Sequence, residues 1–303
     1  MTLILAANGR ESIWLLADRR LSHGGVPVKE DARKVFDLKT KDGIALLGYS
    51  GLGATSKGTE PSEWMTAVLR GTNFSLEDSL RVIADAMKRR FPKHLQGTSL
   101  THSLIATSFL ANEPRLYTIG LRQEPGETRF EVQIVRRQVD DGFSKISRPP
   151  RIVIGGSGSA FLRHDTKWVR RLLRLIKEQE RRRVSPSTVA DSLARLNHEV
   201  YADNPSASVG PRSIVVWRYR KDGVFGGGGG HQFYTGTKRD PATDSIPTIA
   251  SGWDVSAVAE MFQSHALEVF AAMNEGRSPD DVDPTKHDEA IARLPTHPDE
   301  DLP

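Results

Sequence analysis

Two apolar runs meeting at an Asn-Gly corner constrain this chain most. Thr2-Leu3-Ile4-Leu5-Ala6-Ala7 and Ser12-Ile13-Trp14-Leu15-Leu16-Ala17 flank Asn8-Gly9, and the second run ends on Asp18. Asn-Gly between apolar runs is the strongest short hairpin signal, because both residues accept the positive φ of a tight turn. Residues 2–8 and 12–18 therefore read as a hairpin, and residues 34–39 and 43–49 as a second one around Lys41-Asp42-Gly43. Helical patterns follow. Glu63 to Leu69 reads as a short helix, and Ser75-Leu76-Glu77-Asp78 has the form of a capping box. From it Leu76, Leu80, Ile83, Met87 and Phe91 run at helical spacing.

Strands are expected at 102–110, 114–120, 129–136 and 151–155, then helices at 159–182 and 186–202, the second with Pro186 just inside its start. Strands at 212–219, 223–226 and 231–235 and a helix at 254–274 complete the pattern. Periodicity alone supports an α/β chain with antiparallel hairpins.

The hydrophobic fraction of 38% is enough for a core. No apolar run approaches the ~18–20 residues of a membrane helix, and no signal peptide precedes the first strand. With no Cys there is neither a disulfide framework nor a thiolate metal site. The nine His include no H-x-x-x-H pair, so no metal is expected. A cytoplasmic protein is the simplest expectation. Residues 276–303 hold eight acidic and three basic side chains, a net of −5 in a chain of net charge +4. This Pro-rich tail is expected to be disordered.

Thr2 carries the chemistry. Removal of Met1 would give Thr2 a free α-amine beside its hydroxyl. Such an amine titrates near ~7.7–8, so it can take the hydroxyl proton directly or through a water. A nearby Lys would push the amine toward its neutral form, and a buried carboxylate would hold that Lys. Asp18 and Lys34, the latter in Ala32-Arg33-Lys34-Val35, are the candidates. An oxyanion needs a backbone N–H from a Gly-rich turn, and Gly48-Tyr49-Ser50-Gly51 offers one.

These segments resemble the catalytic β-subunits of the proteasome and the bacterial peptidase HslV. Thr2, Asp18 and Lys34 fall at the family's separations once Met1 is gone. Ala17-Asp18-Arg19-Arg20-Leu21-Ser22 resembles its "ADSRAT" segment, and Ile154-Gly155-Gly156-Ser157-Gly158-Ser159 its "GGSGS" strand-to-helix turn. Asp203-Asn204-Pro205-Ser206 matches its D-x-x-S, with Ala207 in place of the following Gly and Ser208 as a competing position.

The resemblance implies a four-layer α-β-β-α sandwich with antiparallel sheets over residues 2–252, followed by a C-terminal helix at 253–275 and the tail. It implies a threonine peptidase of the N-terminal-nucleophile type. Thr2 would be the nucleophile, and Asp18 and Lys34 its partners. Ser157, Asp203 and Ser206 would order the amine. Gly48 or Gly51 would be the oxyanion donor, with Arg20 and Ser22 beside the substrate main chain. No cofactor is implied. A homo-oligomeric ring, a peptide or unfolded-protein substrate and an ATP-driven unfoldase are the partners it suggests.

Other readings stand beside this one. The same fold could serve a small-molecule amidase or an inert scaffold subunit. Inert proteasomal α-subunits carry an extension before the first strand, so a strand opening at Thr2 favours activity. The cluster Arg163, Lys167, Arg170, Arg171, Arg174, Lys177 and Arg181 to Arg183 could bind nucleic acid, but no aromatic residues interleave it. A solvated face or a contact to a neighbouring subunit is the plainer expectation, and nucleic acid and membrane are not expected as partners. Gly226 to Gly230 lacks the Gly-Lys-Ser/Thr of a phosphate loop and reads as a flexible hairpin tip.

Overall fold

The computed structural model describes residues 2–23, 26–51, 59–91, 102–124, 127–134, 151–163, 166–203, 209–220, 228–241, 245–294 and 296–299. The first hairpin forms where expected, with β1 at Ile4–Asn8 and β2 at Ser12–Asp18, but neither Asn8 nor Gly9 takes the expected positive φ. Gly9 N donates to Ser12 O at 2.7 Å across the corner. Both strands are buried throughout. The reason is their place: in a six-stranded sheet ordered β10-β1-β2-β11-β12-β13 they are central. Its other members are β10 (Arg151–Gly155), β11 (Arg212–Tyr219), β12 (Gly229–Thr235) and β13 (Lys238–Asp240).

The second hairpin, β5 (Val35–Lys39) and β6 (Gly43–Ser50), belongs to a seven-stranded sheet ordered β15-β14-β5-β6-β7-β8-β9. There β7 is Ser103–Leu110, β8 Glu113–Glu124, β9 Glu127–Ile134, β14 Thr248–Ala250 and β15 Trp253–Asp254. Pairing is antiparallel in both sheets except where β14 joins β5 in parallel. A short third ribbon, β3 (Leu21–His23) with β4 (Val26–Lys29), was not foreseen. Its strands are three and four residues long and carry Pro27, too little for a periodic signal.

Side-chain alternation along β1 and β2 explains the layering. Leu3, Leu5, Ala7, Trp14 and Leu16 face helices α4 (Lys167–Glu180) and α5 (Pro186–Asp203). Ile4, Ala6, Ile13, Leu15 and Ala17 face the other sheet, meeting Val35, Leu46, Ile105 and Phe109. The outer face of the seven-stranded sheet, with Phe36, Leu47 and Tyr49, packs under α1 (Pro61–Leu69) and α2 (Leu76–Arg90). The chain is thus mixed α/β, with three apolar cores alternating with the sheets. Ser75 caps α2 by accepting from Asp78 N at 3.2 Å, as its sequence suggested. Glu180 at the end of α4 accepts from Glu11 N at 2.9 Å and Ser12 N at 3.2 Å, pinning the first hairpin corner.

Several expectations are corrected. The helix expected over 159–182 is two, α3 (Ser159–Arg163) and α4. Gly229 and Gly230 are strand residues of β12 rather than hairpin tip. A side chain at Gly230 would strike the Trp217 indole, its Cβ falling 2.6 Å from Trp217 Cζ2, and that indole stacks on Trp14 at 5.5 Å. The strand expected at 223–226, and Gly226 and Gly227, lie outside the described residues.

The acidic tail carries structure where disorder was expected. After α6 (Val255–Asn274) come a 3-10 turn at Pro279–Asp281 and helix α7 at Pro284–Arg293. Ser278 and Asp283 cap these elements, each followed by Pro, so local capping offsets the poor composition. Farther on, Asp299 N donates to Ala67 O at 2.8 Å. Among the described residues no helix is long and apolar enough to cross a membrane.

Candidate active site

Thr2 lies just ahead of β1, Asp18 ends β2, and Lys34 immediately precedes β5. The first two belong to one sheet and the third to the other, and all three are buried, at 3%, 0% and 2% exposure. Lys34 Nζ donates to Thr2 Oγ1 at 2.7 Å, lies 3.2 and 3.3 Å from the two Asp18 oxygens, and donates to the Arg20 carbonyl. These three groups match the three N–H bonds of an ammonium. Burial pushes the Lys34 ammonium below its usual pKa of 10.5, opposed by the attraction of Asp18.

Asp18 is saturated as a carboxylate. Oδ1 accepts from Leu3 N at 2.8 Å, and Oδ2 from Arg20 N at 3.0 Å and Gly210 N at 3.2 Å. A buried charge survives only with such partners. Gly210 is held in turn, since its carbonyl accepts from Asn197 Nδ2 of α5 at 3.0 Å. Sequence reasoning missed Asn197. Its signal was a polar residue on the buried face of α5, between Leu196 and Val200. Glu60 was also missed. It accepts from Arg33 N at 2.5 Å and pairs with Lys29, which fixes the backbone beside Lys34.

The Gly-Gly-Ser-Gly turn closes over Thr2. Gly156 has φ +83°, and a Cβ there would lie 2.6 Å from the Thr2 carbonyl carbon and 3.1 Å from Ser50 Oγ. Only glycine permits that approach. Gly158 N donates weakly to Thr2 O at 3.4 Å. Ser157 sits exposed at the crest, before α3.

The structure separates the two oxyanion candidates. Gly48 is mid-strand in β6, paired with Val35 on one side and Ile105 on the other. Tyr49 N donates to Lys34 O at 3.1 Å, so alternation along the strand turns the Gly48 amide toward β7. Its missing side chain serves sheet packing: a Cβ would sit 2.8 Å from Ile4 Cγ2. Gly51 follows the end of β6 with φ +150°, where a Cβ would lie 2.5 Å from His102 Nδ1. His102 is buried and hydrogen-bonds Tyr49 Oη, which supports this strand end.

Arg20 enters the site through its carbonyl, while its guanidinium pairs with Glu30 at 2.8 Å and covers the Tyr201 ring. Ser22 lies in β3 opposite Pro27. Asp203 is exposed at the end of α5, and Ser206 and Ser208 lie outside the described residues. On α4, Lys167, Arg170, Arg171, Arg174 and Lys177 are exposed, opposite the buried Leu172 and Ile176. The side chain of Arg163 is outside the described set. Among the described residues no group of three or more His, Asp or Glu could hold a metal. No family model matches this chain, and no curated protein matches it.

Proposed function

We propose that this chain is an N-terminal threonine hydrolase, a peptidase of the proteasome β-subunit and HslV type, built as a four-layer α-β-β-α sandwich. The observation that carries the reading is Lys34 Nζ bridging Thr2 Oγ1 at 2.7 Å and the Asp18 carboxylate at 3.2 Å in a buried cluster. The three cores alternating with two sheets support the architecture.

After Met1 is removed, the Thr2 α-amine takes the hydroxyl proton as Oγ1 attacks the substrate carbonyl. Lys34 donates to Oγ1 and stabilises its developing negative charge, and Asp18 holds Lys34 in place. The Gly51 N–H is the oxyanion donor. Collapse of the tetrahedral intermediate breaks the C–N bond. The ammonium of Thr2 returns its proton to the leaving amine, leaving an acyl ester on Oγ1. A water deprotonated by the amine then hydrolyses the ester. The β3 ribbon pairs only with β4 among the described residues, so its other edge suits an extended peptide main chain beside Ser22. A homo-oligomeric ring enclosing this site completes the reading.

The test is the intact mass of the purified protein with and without a β-lactone electrophile, beside a Thr2→Ala control. Loss of Met1 and one adduct per chain, absent from the control, is expected. Retained Met1, or no adduct despite its loss, would refute catalysis at Thr2 and favour the inert scaffold.

A further inference from the structure

Helix α6 is apolar over a wide arc, and only part of that arc is covered, Phe262 lying at its margin 5.8 Å from the His287 ring. Val258, Met261, Val269 and Ala272 turn inward, and the helix packs against β14, the 3-10 turn and α7. The flank next to it, about a third of a turn round the helix, carries Ala259, Phe262, Ala266, Phe270 and Met273, all exposed. Phe262 is 57%, Phe270 62% and Met273 52% exposed, and Leu267 beside them is 62% exposed. An amphipathic surface helix of a monomer presents charge there instead.

The spacing of this stripe suits a second copy of the same helix. Its steps are 3, 4, 4 and 3 residues, which read the same in both directions about Ala266. A two-fold axis at Ala266 therefore lays the stripe on itself antiparallel. Phe262 meets the partner's Phe270, Ala259 meets the partner's Met273, and Ala266 meets its own copy. Small residues at the axis allow close approach, and large ones face small ones at the ends. The area suffices. Half-exposed aromatic rings present roughly 100 Å² each. With Met273, Leu267 and the alanines, each copy offers on the order of 500 Å². A pair thus reaches the ~1,000 Å² that a specific interface requires. Asp254 anchors the helix by accepting from Ala257 N at 3.1 Å and pairing with Arg70 at 3.5 Å, so the face is held in place before any partner arrives.

We propose that α6 is a homodimerisation element, pairing two copies of this chain antiparallel about Ala266. The proposal is independent of catalysis at Thr2. The chain has no Cys, so Ala266→Cys introduces a single thiol. Oxidation of the full-length Ala266→Cys protein with copper phenanthroline is expected to yield a band at twice the chain mass. Ala259→Cys alone is expected to give none, and a mixture of Ala259→Cys with Met273→Cys is expected to give the dimer.

Adding Phe262→Glu and Phe270→Glu should abolish cross-linking and weaken self-association in sedimentation by roughly a hundredfold, with unchanged circular dichroism. An Ala266→Cys protein that stays monomeric under oxidation overturns the proposal. So does cross-linking that survives the Glu substitutions. Flotation of uncross-linkable protein with phosphatidylglycerol vesicles would overturn it in favour of a lipid surface.

Discussion

Gly156→Ala separates conformational strain from a collision at Thr2. Gly156 holds φ +83°, a region that costs a residue with a Cβ about 1–2 kcal/mol. The added methyl would also land on the Thr2 carbonyl oxygen and 2.6 Å from its carbon, so that backbone must retreat by more than about 1 Å to reach ordinary contact. Two further glycines provide the controls. Gly276 has φ +76° and nothing within 4 Å of its Cβ position, so its Ala variant reports strain alone. Gly120 has neither positive φ nor a neighbour within 4 Å, so its Ala variant should be neutral. In urea unfolding we expect about 0, 1–2 and at least 3 kcal/mol of destabilisation for the Ala variants at 120, 276 and 156. Under folding conditions the rate of β-lactone labelling should fall about a hundredfold for Gly156→Ala only, since a ~1 Å misplacement of a nucleophile costs about that much. Equal destabilisation of Gly156→Ala and Gly276→Ala, with wild-type labelling in both, would refute the claim that this turn positions Thr2.

Lys34→Met should cost about 3–5 kcal/mol by stranding a buried Asp18 charge, and Lys34→Met with Asp18→Asn should cost less than the two single changes together; denaturation of the four proteins closes the cycle, and labelling should be lost in all three variants. The folded-state pKa of Lys34 lies below 10.5, so between that lowered value and 10.5 the unfolded chain binds more protons and stability from this group rises with pH. Lys34→Met should flatten that slope in unfolding free energies measured across the alkaline range. Asn197→Ala leaves the buried Gly210 carbonyl without its donor and should cost about 1–3 kcal/mol, with slower labelling because Asp18 loses its support from Gly210; a thermal melt beside a labelling time course tests both.

The parts of this protein legible in its sequence are the local ones. An Asn-Gly corner between apolar runs placed β1 and β2 and set Asp18 at a strand end. The Gly-Gly-Ser-Gly segment announced a strand-to-helix turn. What sequence could not show are partners brought together by the crossing of distant segments. Gly210 meets Asp18 only because β11 inserts beside β2, pairing Ser213 with Asp18. Asn197 looked like an ordinary helix polar residue until α5 folded over that junction. Trp217 explains Gly230 only once β11 and β12 are known to be neighbours. In the tail, composition argued for disorder, while two Ser/Asp-Pro caps supplied the local order that composition ignores.

Gly48 shows how the fold sets the site. Thr2 and Asp18 hang from one sheet and Lys34 from the other, so the 2.7 Å between Lys34 and Thr2 depends on how closely the sheets approach. Near the site that approach runs through Gly48, whose absent side chain makes room for Ile4 and Leu15. Gly48→Ala keeps the backbone N–H, so an oxyanion role would survive it. A packing role would not: the methyl would sit 2.8 Å from Ile4 Cγ2 and overpack the seam by about 1–3 kcal/mol. Ile4→Ala removes the opposing atom and costs about 2–5 kcal/mol by itself. The double variant should therefore be more stable than the sum predicts by about 0.5–3 kcal/mol, and should regain part of the labelling rate lost in Gly48→Ala. Strict additivity, or normal labelling in Gly48→Ala, would show that sheet spacing at this point does not control the distance between Lys34 and Thr2.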